Sequence, residues 1–484
     1  MAVACGAKHM LALAERGYRV FACGSGDHGQ LGAGTREHQR TPAPVAGLEG
    51  LPDVVMVAAG YCHSAAITSA GRLLLWGRNR FGQLGQGDRE DRLVPVTLGP
   101  PQFGGAPVAM VACGGFHTLV VTRSGRLFAF GDGENGRLGL GDMNDRDVPV
   151  EVGPGRFGGA IIAYAAAGEA HSGVVTAGGA VWTWGCGRRG RLGHNGEQDE
   201  LVPRELEGQF GGARALSLAA GGAHTMVLTT CGAVWGCGEG DDGQLGVGDT
   251  ADRHAPVRVG GEEAFGQSKV RMVACGSYHT VAVTEEGAVW CWGRGERGGL
   301  GHNDDRDRLA PARVGQERFG GAKIVTADCG GARSAAVSED GGLFTWGAAG
   351  FIGSPAGLGH DDLDDKPVPT LVAPDRLLGA RIGRGLPLEP LLAVAFAMGT
   401  HRRLGGGEAA AGGPSGGRRT SRRAAGKEPA AGEGKGSAVM ALAGEPGLVK
   451  MVVEQCGDWA EGWGAGEVGE GVMRLAGWGR AASR

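Results

Sequence analysis

Residues 272–301 read MVACGSYHTVAVTEEGAVWCWGRGERGGLG, and this stretch decides the fold. It holds an A-C-G turn, then His279 followed by alternating apolar and β-branched residues. A V-W-x-W-G run comes next and ends in a glycine-rich turn around Leu300. Alternation with a period of two marks strands, and the bounding glycines mark tight turns. The first half returns as VACGAKHMLAL at His9, VAAGYCHSAAIT at His63, VACGGFHTLVVT at His117, AAAGEAHSGVVT at His171 and LAAGGAHTMVLT at His224. A seventh copy, ADCGGARSAAVS, carries Arg333 in the histidine slot, and the steps between copies are 54, 54, 54, 53, 55 and 54 residues. The second half follows each copy, centred on Leu31, Leu84, Leu138, Leu192, Leu245, Leu300 and Leu358.

Each unit reads as four short strands. A P-x-V strand (Pro95, Pro149, Pro203, Pro256, Pro311 or Pro369) is expected to open the unit, followed by the strand into the A-C-G turn, the His-T strand and the V-W-x-W-G strand. A unit this small cannot bury both faces alone, so neighbours must stack and close. The sequence therefore predicts an all-β chain: a seven-bladed β-propeller of four-stranded blades with a low-complexity C-terminal tail.

Composition agrees. Glycine supplies 98 of 484 residues, far above the usual share of roughly 7 %. Apolar residues are 42 %, enough for a large core. Collagen is excluded because glycine does not fall at every third position, and a long helical bundle is disfavoured by interior glycine. The net charge of −4 makes no global case for nucleic acid or anionic lipid. Eleven cysteines without a C-x-x-C pair point to a reducing compartment. No signal peptide or membrane-spanning run is legible, so a soluble protein of the cytoplasm and/or nucleus is expected.

The G-x-x-H-[ST] element, the W-G or F-G pair and the G-[QR]-L-G turn resemble the regulator of chromosome condensation repeat family over roughly residues 1–375. That resemblance implies a seven-bladed propeller whose functions differ between members. The founding activity is nucleotide exchange on a Ran-like small GTPase, and exchange factors of the family carry a wedge-like insertion. Here the regular steps leave room for one only near 351–357 and 379–390. The family's ubiquitin ligases carry a large catalytic domain, for which a 79-residue tail is too short. Its ultraviolet-B photoreceptors carry tryptophan just after the turn glycine of G-x-x-H, where this chain has Ala7, Tyr61, Gly115, Glu169, Gly222, Ser277 and Gly331.

Several motifs take a structural reading. Gly24-x-Gly26-x-x-Gly29 and its four periodic counterparts fit a dinucleotide fingerprint, but none opens a helix in a βαβ unit. His9, His63, His117, His171, His224 and His279 occupy one slot per blade, around a ring and not around a point. They are expected to be buried and to hydrogen-bond backbone within their own blades. Trp76, Trp184, Trp235, Trp292 and Trp346 are assigned one slot in the W-G strand and packing between blades. Cys5, Cys113, Cys275 and Cys329 share a slot with alanines, which argues for small buried residues, and no cysteine–histidine spacing fits zinc.

The candidate partner-binding residues are a recurring D-x-x-D-R: Asp88, Asp91 and Arg92; Asp142, Asp145 and Arg146; Asp249, Asp252 and Arg253; Asp304, Asp307 and Arg308. They are read either as turn chemistry with local ion pairs or as a charged rim that meets a protein. No catalytic constellation and no cofactor or metal motif is read. The expected function is a monomeric, non-enzymatic protein-interaction scaffold. The alternatives are exchange on a Ran-like GTPase and substrate recognition for a separate ubiquitin ligase or kinase.

The expected boundaries are a propeller over 1–405, a Gly/Ala-rich basic linker over 406–436, and an unassigned, mostly disordered tail over 437–484. The linker's basic cluster (Arg418, Arg419, Arg422 and Arg423, around Ser421) is read as an import or phosphorylation signal. A degenerate half-unit at 376–405, where RLLGARI echoes RFGGAKI, leaves two outcomes open: one end is redundant, or one end seals the ring. The start inside a unit also raises a truncated N-terminus.

Overall fold

The structure is a computed structural model that describes residues 3–14, 19–48, 51, 53–206, 210–261, 264–350, 357–377 and 382. Twenty-eight strands form seven four-stranded antiparallel sheets. Blade 1 holds β1 (Val3–Cys5), β2 (His9–Leu13), β3 (Val20–Gly24) and β4 (Gln39–Pro44). Blade 2 holds β5 (Val54–Ala59), β6 (His63–Thr68), β7 (Leu73–Gly77) and β8 (Arg92–Leu98). Blade 3 has β9 (Val108–Cys113), β10 (His117–Thr122), β11 (Leu127–Gly131) and β12 (Arg146–Val152). Blade 4 has β13 (Ile162–Ala167), β14 (His171–Thr176), β15 (Val181–Gly185) and β16 (Glu200–Glu205). Blade 5 comprises β17 (Ala215–Ala220), β18 (His224–Thr229), β19 (Val234–Gly238) and β20 (Arg253–Arg258). Blade 6 comprises β21 (Val270–Cys275), β22 (His279–Thr284), β23 (Val289–Gly293) and β24 (Arg308–Arg313). Blade 7 comprises β25 (Ile324–Cys329), β26 (Arg333–Ser338), β27 (Leu343–Gly347) and β28 (Lys366–Leu371).

The blade starts at the strand before the A-C-G turn. The P-x-V strand is the fourth and outermost strand of the preceding sheet, paired with the W-G strand (Leu75↔Val96), and does not open the next unit. Proline suits this edge, where one side of the strand has no ladder to feed. The W-G strand also bends there. Between Ala129 and Gly131 the register shifts, and Gly131 has φ 106°, a conformation that side chains rarely adopt.

Successive side chains of a strand point to opposite faces, so each blade feeds two cores. In β10, Val120 packs toward blade 2, whereas Leu119 and Val121 pack toward blade 4. The described residues form seven hydrophobic clusters, one at each blade–blade junction. This explains why the His-T strands are buried at all six positions although each belongs to a single sheet. Fully covered strands of this kind have no solvent face.

Closure comes from the C-terminal side. β1 has three residues where β5 has six. Ile382 pairs with Ala14 as Val54 pairs with Thr68, and its N–H reaches Gly341 O as Ile324 N–H reaches Gly287 O. Ile382 therefore supplies the first rung that β1 lacks. It lies 1 % exposed, with Leu377, Phe21 and Val372 in the junction between blades 7 and 1. The rest of the half-unit at 376–405, apart from 376, 377 and 382, lies outside the described residues, as do the linker and the tail. No helix among the described residues is long and apolar enough to cross a membrane.

Candidate protein-docking face and axial cavity

The repeated histidines link blades. His9 Nε2 meets Ser64 Oγ at 2.7 Å, His63 meets Thr118 at 3.1 Å and His117 meets Ser172 at 2.8 Å. His171 meets Thr225 at 2.9 Å, His224 meets Thr280 at 3.1 Å and His279 meets Ser334 at 2.8 Å. The expected backbone partner within the same blade is thus replaced by a hydroxyl in the next blade. That hydroxyl spends its proton on a carbonyl of the preceding blade, as in Ser64 Oγ to Gln30 O at 2.7 Å and Ser172 Oγ to Arg137 O at 2.7 Å. Nε2 must therefore be the protonated ring nitrogen. Nδ1 of His9, His63, His117, His171 and His224 has no partner.

The turn glycine is required by this contact. A Cβ on Gly60 would sit 2.6 Å from His63 Cε1 and 2.4 Å from Gly114 O of the next blade. Burial lowers the histidine pKa values, to about 3 for His9 and His224 and about 4 for His63 and His279; His117 and His171 also fall well below the usual range. These rings are neutral latches.

The tryptophans divide into two slots. Trp76, Trp184, Trp292 and Trp346 are fully buried. Trp76, Trp184 and Trp292 donate Nε1–H to the carbonyls of Gln30, Arg137 and Gln244 at 2.9–3.0 Å. Trp235 is not in this slot. It pairs with Val227 as Trp182 pairs with Val174, and Cys237 fills the buried position, its thiol 3.6 Å from Arg191 O. The two W-G pairs differ by two strand positions, which a local match of letters does not separate.

The seventh junction departs from all of this. Arg333 replaces histidine, Met10 stands where the hydroxyl would be, and Cys23 takes the tryptophan position. Arg333 is 3 % exposed, and its Nε and Nη1 have no hydrogen-bond partner.

One face carries the G-x-x-H turns together with the loops after the W-G strands, as Ser25 N–H to Lys8 O at 2.9 Å shows. On it, the D-x-x-D-R acids are committed within the fold. The first aspartate accepts a backbone N–H two residues on and pairs with the arginine four residues on: Asp88–Arg92 at 2.5 Å, Asp142–Arg146 at 2.7 Å, Asp249–Arg253 at 2.6 Å and Asp304–Arg308 at 2.8 Å. The second closes its loop, with Asp91, Asp145, Asp252 and Asp307 accepting the N–H of residues 79, 133, 240 and 295 at 2.8–3.2 Å. Three of them also take a cation from the preceding blade: Arg36–Asp91, Arg89–Asp145 and Arg189–Asp252, at 3.0–3.2 Å. Their charges are largely neutralised before any partner arrives.

Residues not singled out in the sequence make the more adhesive patch. Tyr61 and Phe116 stand 5.7 Å apart and Phe81 and Phe116 5.4 Å apart, in tilted ring pairs that continue from blade 2 to blade 3. Lys8 lies 5.5 Å from the Tyr61 ring, Arg78 5.5 Å from Phe116 and Arg80 5.6 Å from Phe81. Across the mouth, Arg294 lies 4.1 Å from the ring of Tyr278, which is 39 % exposed. Ser277 Oγ donates to Glu169 Oε1 at 2.7 Å, joining the turns of blades 6 and 4. The sequence signal was available: Tyr61 and Phe116 occupy the variable positions of G-x-x-H.

Inside the mouth is an axial cavity of about 530 Å³ lined by the inner strand of every blade. Among the described residues no group of three or more His, Cys, Asp or Glu side chains is placed to hold a metal.

Comparison with known proteins adds the following. The family described as RCC1-like domain matches residues 1–227 and 156–386. The chain is 40 % identical over 311 residues to the ultraviolet-B receptor UVR8 of Arabidopsis thaliana, covering 64 % of this chain and 69 % of that one. It is 34 % identical over 330 residues to the E3 ubiquitin-protein ligase HERC2 of Homo sapiens, covering 68 % of this chain but only 7 % of that one. Among solved structures, Prp20p of Saccharomyces cerevisiae, described with its binding properties to Gsp1p and histones, superposes with a TM-score of 0.58 at 27 % identity, over 68 % of this chain and 80 % of that one.

Proposed function

The chain belongs to the RCC1-like domain family, and on that premise we propose that it is a protein-interaction platform whose anchor is the aromatic and cationic patch around Phe116. The observation that carries this reading is the cluster of Tyr61, Phe81 and Phe116 with Lys8, Arg78 and Arg80 beside the rings. Aromatic and arginine side chains on a rigid base bury much area at small entropy cost, and they dominate binding energy at protein interfaces. The latched blades supply that base. The D-x-x-D-R rim surrounds the anchor and sets orientation more than affinity. No covalent chemistry is required.

Quantitative affinity capture with wild type and a Tyr61→Ala/Phe81→Ala/Phe116→Ala variant tests it. Partners recovered equally by both would remove the reading.

A second reading is nucleotide exchange on a Ran-like GTPase, favoured by the likeness to Prp20p. Exchange needs only stronger binding to the nucleotide-free GTPase than to the loaded form. The candidate wedge segments at 351–357 and 379–390 lie outside the described residues except for 357 and 382. Release of a fluorescent nucleotide from Ran, unaccelerated at micromolar protein, would exclude it. The likeness to HERC2 leaves room for substrate recognition beside a separate ligase, a variant of the platform reading. Photoreception is not carried over, since none of the seven positions after the turn glycine is tryptophan.

A further inference from the structure

The inner strands place the first residue of each blade's A-C-G element on the wall of the axial cavity. Six blades use alanine there: Ala4, Ala58, Ala112, Ala166, Ala219 and Ala274. Blade 7 has Asp328. Asp328 Oδ2 accepts the Cys5 N–H at 2.7 Å, which ties β25 to β1 across the closing junction. The backbone N–H of Cys329 also donates to this carboxylate. No Lys, Arg or His side chain among the described residues forms an ion pair with this carboxylate. The cationic side chains that line the cavity, Lys269 and Arg271, are exposed.

A half-buried carboxylate with no side-chain cation is costly to hold on an apolar wall, and six blades show that the ring forms its inner wall with alanine. Burial raises the Asp328 pKa to about 7. Burial also raises those of Tyr164 and Cys275 on the strands of blades 4 and 6, with the Asp328 carboxylate adding to it. Most of the wall is glycine, alanine, valine, methionine and cysteine, and a volume of about 530 Å³ lies within the range of small-molecule sites, about 300–1,000 Å³.

We propose that the axial cavity is a binding site for an aliphatic ammonium group, whose alkyl chain lies along the alanine, valine and methionine wall and whose –NH3+ donates to the carboxylate of Asp328. The charge-assisted bond gives selectivity, and removal of the chain from water gives part of the affinity. Asp328 lies outside the docking patch, although Tyr61 of that patch also lines the cavity. A free alkylamine and a lysine side chain of a partner offer the same chemistry.

The test uses the full chain with n-pentylamine, Nα-acetyl-lysine methylamide and pentan-1-ol as probes, by isothermal titration and thermal shift. The control variant is Asp328→Ala, which gives blade 7 the residue of the other six; Asp328→Asn keeps the shape if the alanine variant fails to fold. The proposal expects saturable binding of pentylamine or of the lysine derivative to wild type, weakened at least tenfold in the variant. Pentan-1-ol should bind both proteins equally and weakly. Whichever amine binds more tightly identifies the source, free amine or side chain. Equal amine affinity in wild type and variant, or no saturable binding of either amine to wild type, would overturn it.

Discussion

Acid should unfold this propeller steeply, and the latches set where. Six neutral histidines lie at six junctions with pKa values that burial holds far below the ordinary 6.5, at about 3 for His9 and His224. A base whose folded pKa is lowered binds its proton in the unfolded chain first, so stability falls as pH drops below the unfolded value. At pH 5.5 each such ring costs about 1.4 kcal/mol relative to neutral pH, about 8 kcal/mol for six. Asp328 acts the other way. Its folded pKa is raised to about 7, so the folded state gains as pH falls through that value, by about 2 kcal/mol at pH 5.5. The net loss of about 6 kcal/mol is comparable with the whole stability of an ordinary domain, about 5–15 kcal/mol.

The expected behaviour is a cooperative transition between about pH 5 and 6, with uptake of four or more protons on unfolding. Far-ultraviolet circular dichroism against pH, combined with urea midpoints at fixed pH, reads both quantities. His117→Gln, which cannot titrate, should reduce the proton uptake by about one. A chain that stays folded to pH 4, or an uptake below two, would refute the latch assignment.

Three further outcomes follow from the junctions. Ser172→Ala leaves His117 Nε2 without its acceptor and should cost about 1–3 kcal/mol by urea denaturation; Ser334→Ala should cost less, because Ser334 Oγ reaches Gly299 O only at 3.4 Å, and the reverse order would count against the latch chain. Arg333→His with Met10→Ser rebuilds the seventh latch and removes a buried guanidinium whose Nε and Nη1 have no partner, so the double variant should be more stable by about 1–3 kcal/mol; a loss of stability would show that Arg333 has an unseen partner. Ile382→Ala should cost about 2–4 kcal/mol and speed proteolysis near the N-terminus, since Ile382 completes the sheet of β1; protease resistance equal to wild type would place the seal elsewhere.

The blade count and strand content were legible because they depend on spacing alone, and seven copies of the two half-units at one period point to a closed ring of seven blades. The phase was not legible. Whether Val96 pairs with Leu75 before it or with the strand after it is decided by ladder geometry, and the letters P-x-V are the same either way. Trp235 was misplaced for a similar reason: its slot is set by pairing with Val227, not by the glycine that follows it. The histidine partner was missed because Ser64 lies 55 residues from His9, one blade away, and only stacking brings them together. The D-x-x-D-R acids were visible as a pattern, but the cations that occupy Asp91, Asp145 and Asp252 come from neighbouring blades. Asp328 was visible only as ADC among VAC, VAA, AAA and LAA copies, and its significance required the cavity.

The account as a whole rests on a rigid ring presenting one adhesive face. The most direct measurement is partner capture by three proteins in parallel: wild type, Tyr61→Ala/Phe81→Ala/Phe116→Ala, and Arg72→Ala, an exposed change on the opposite face, each confirmed folded by its melting temperature. The account predicts specific partners that fall at least tenfold with the triple variant and persist with Arg72→Ala. Equal recovery by the triple variant, or loss with Arg72→Ala instead, would contradict it.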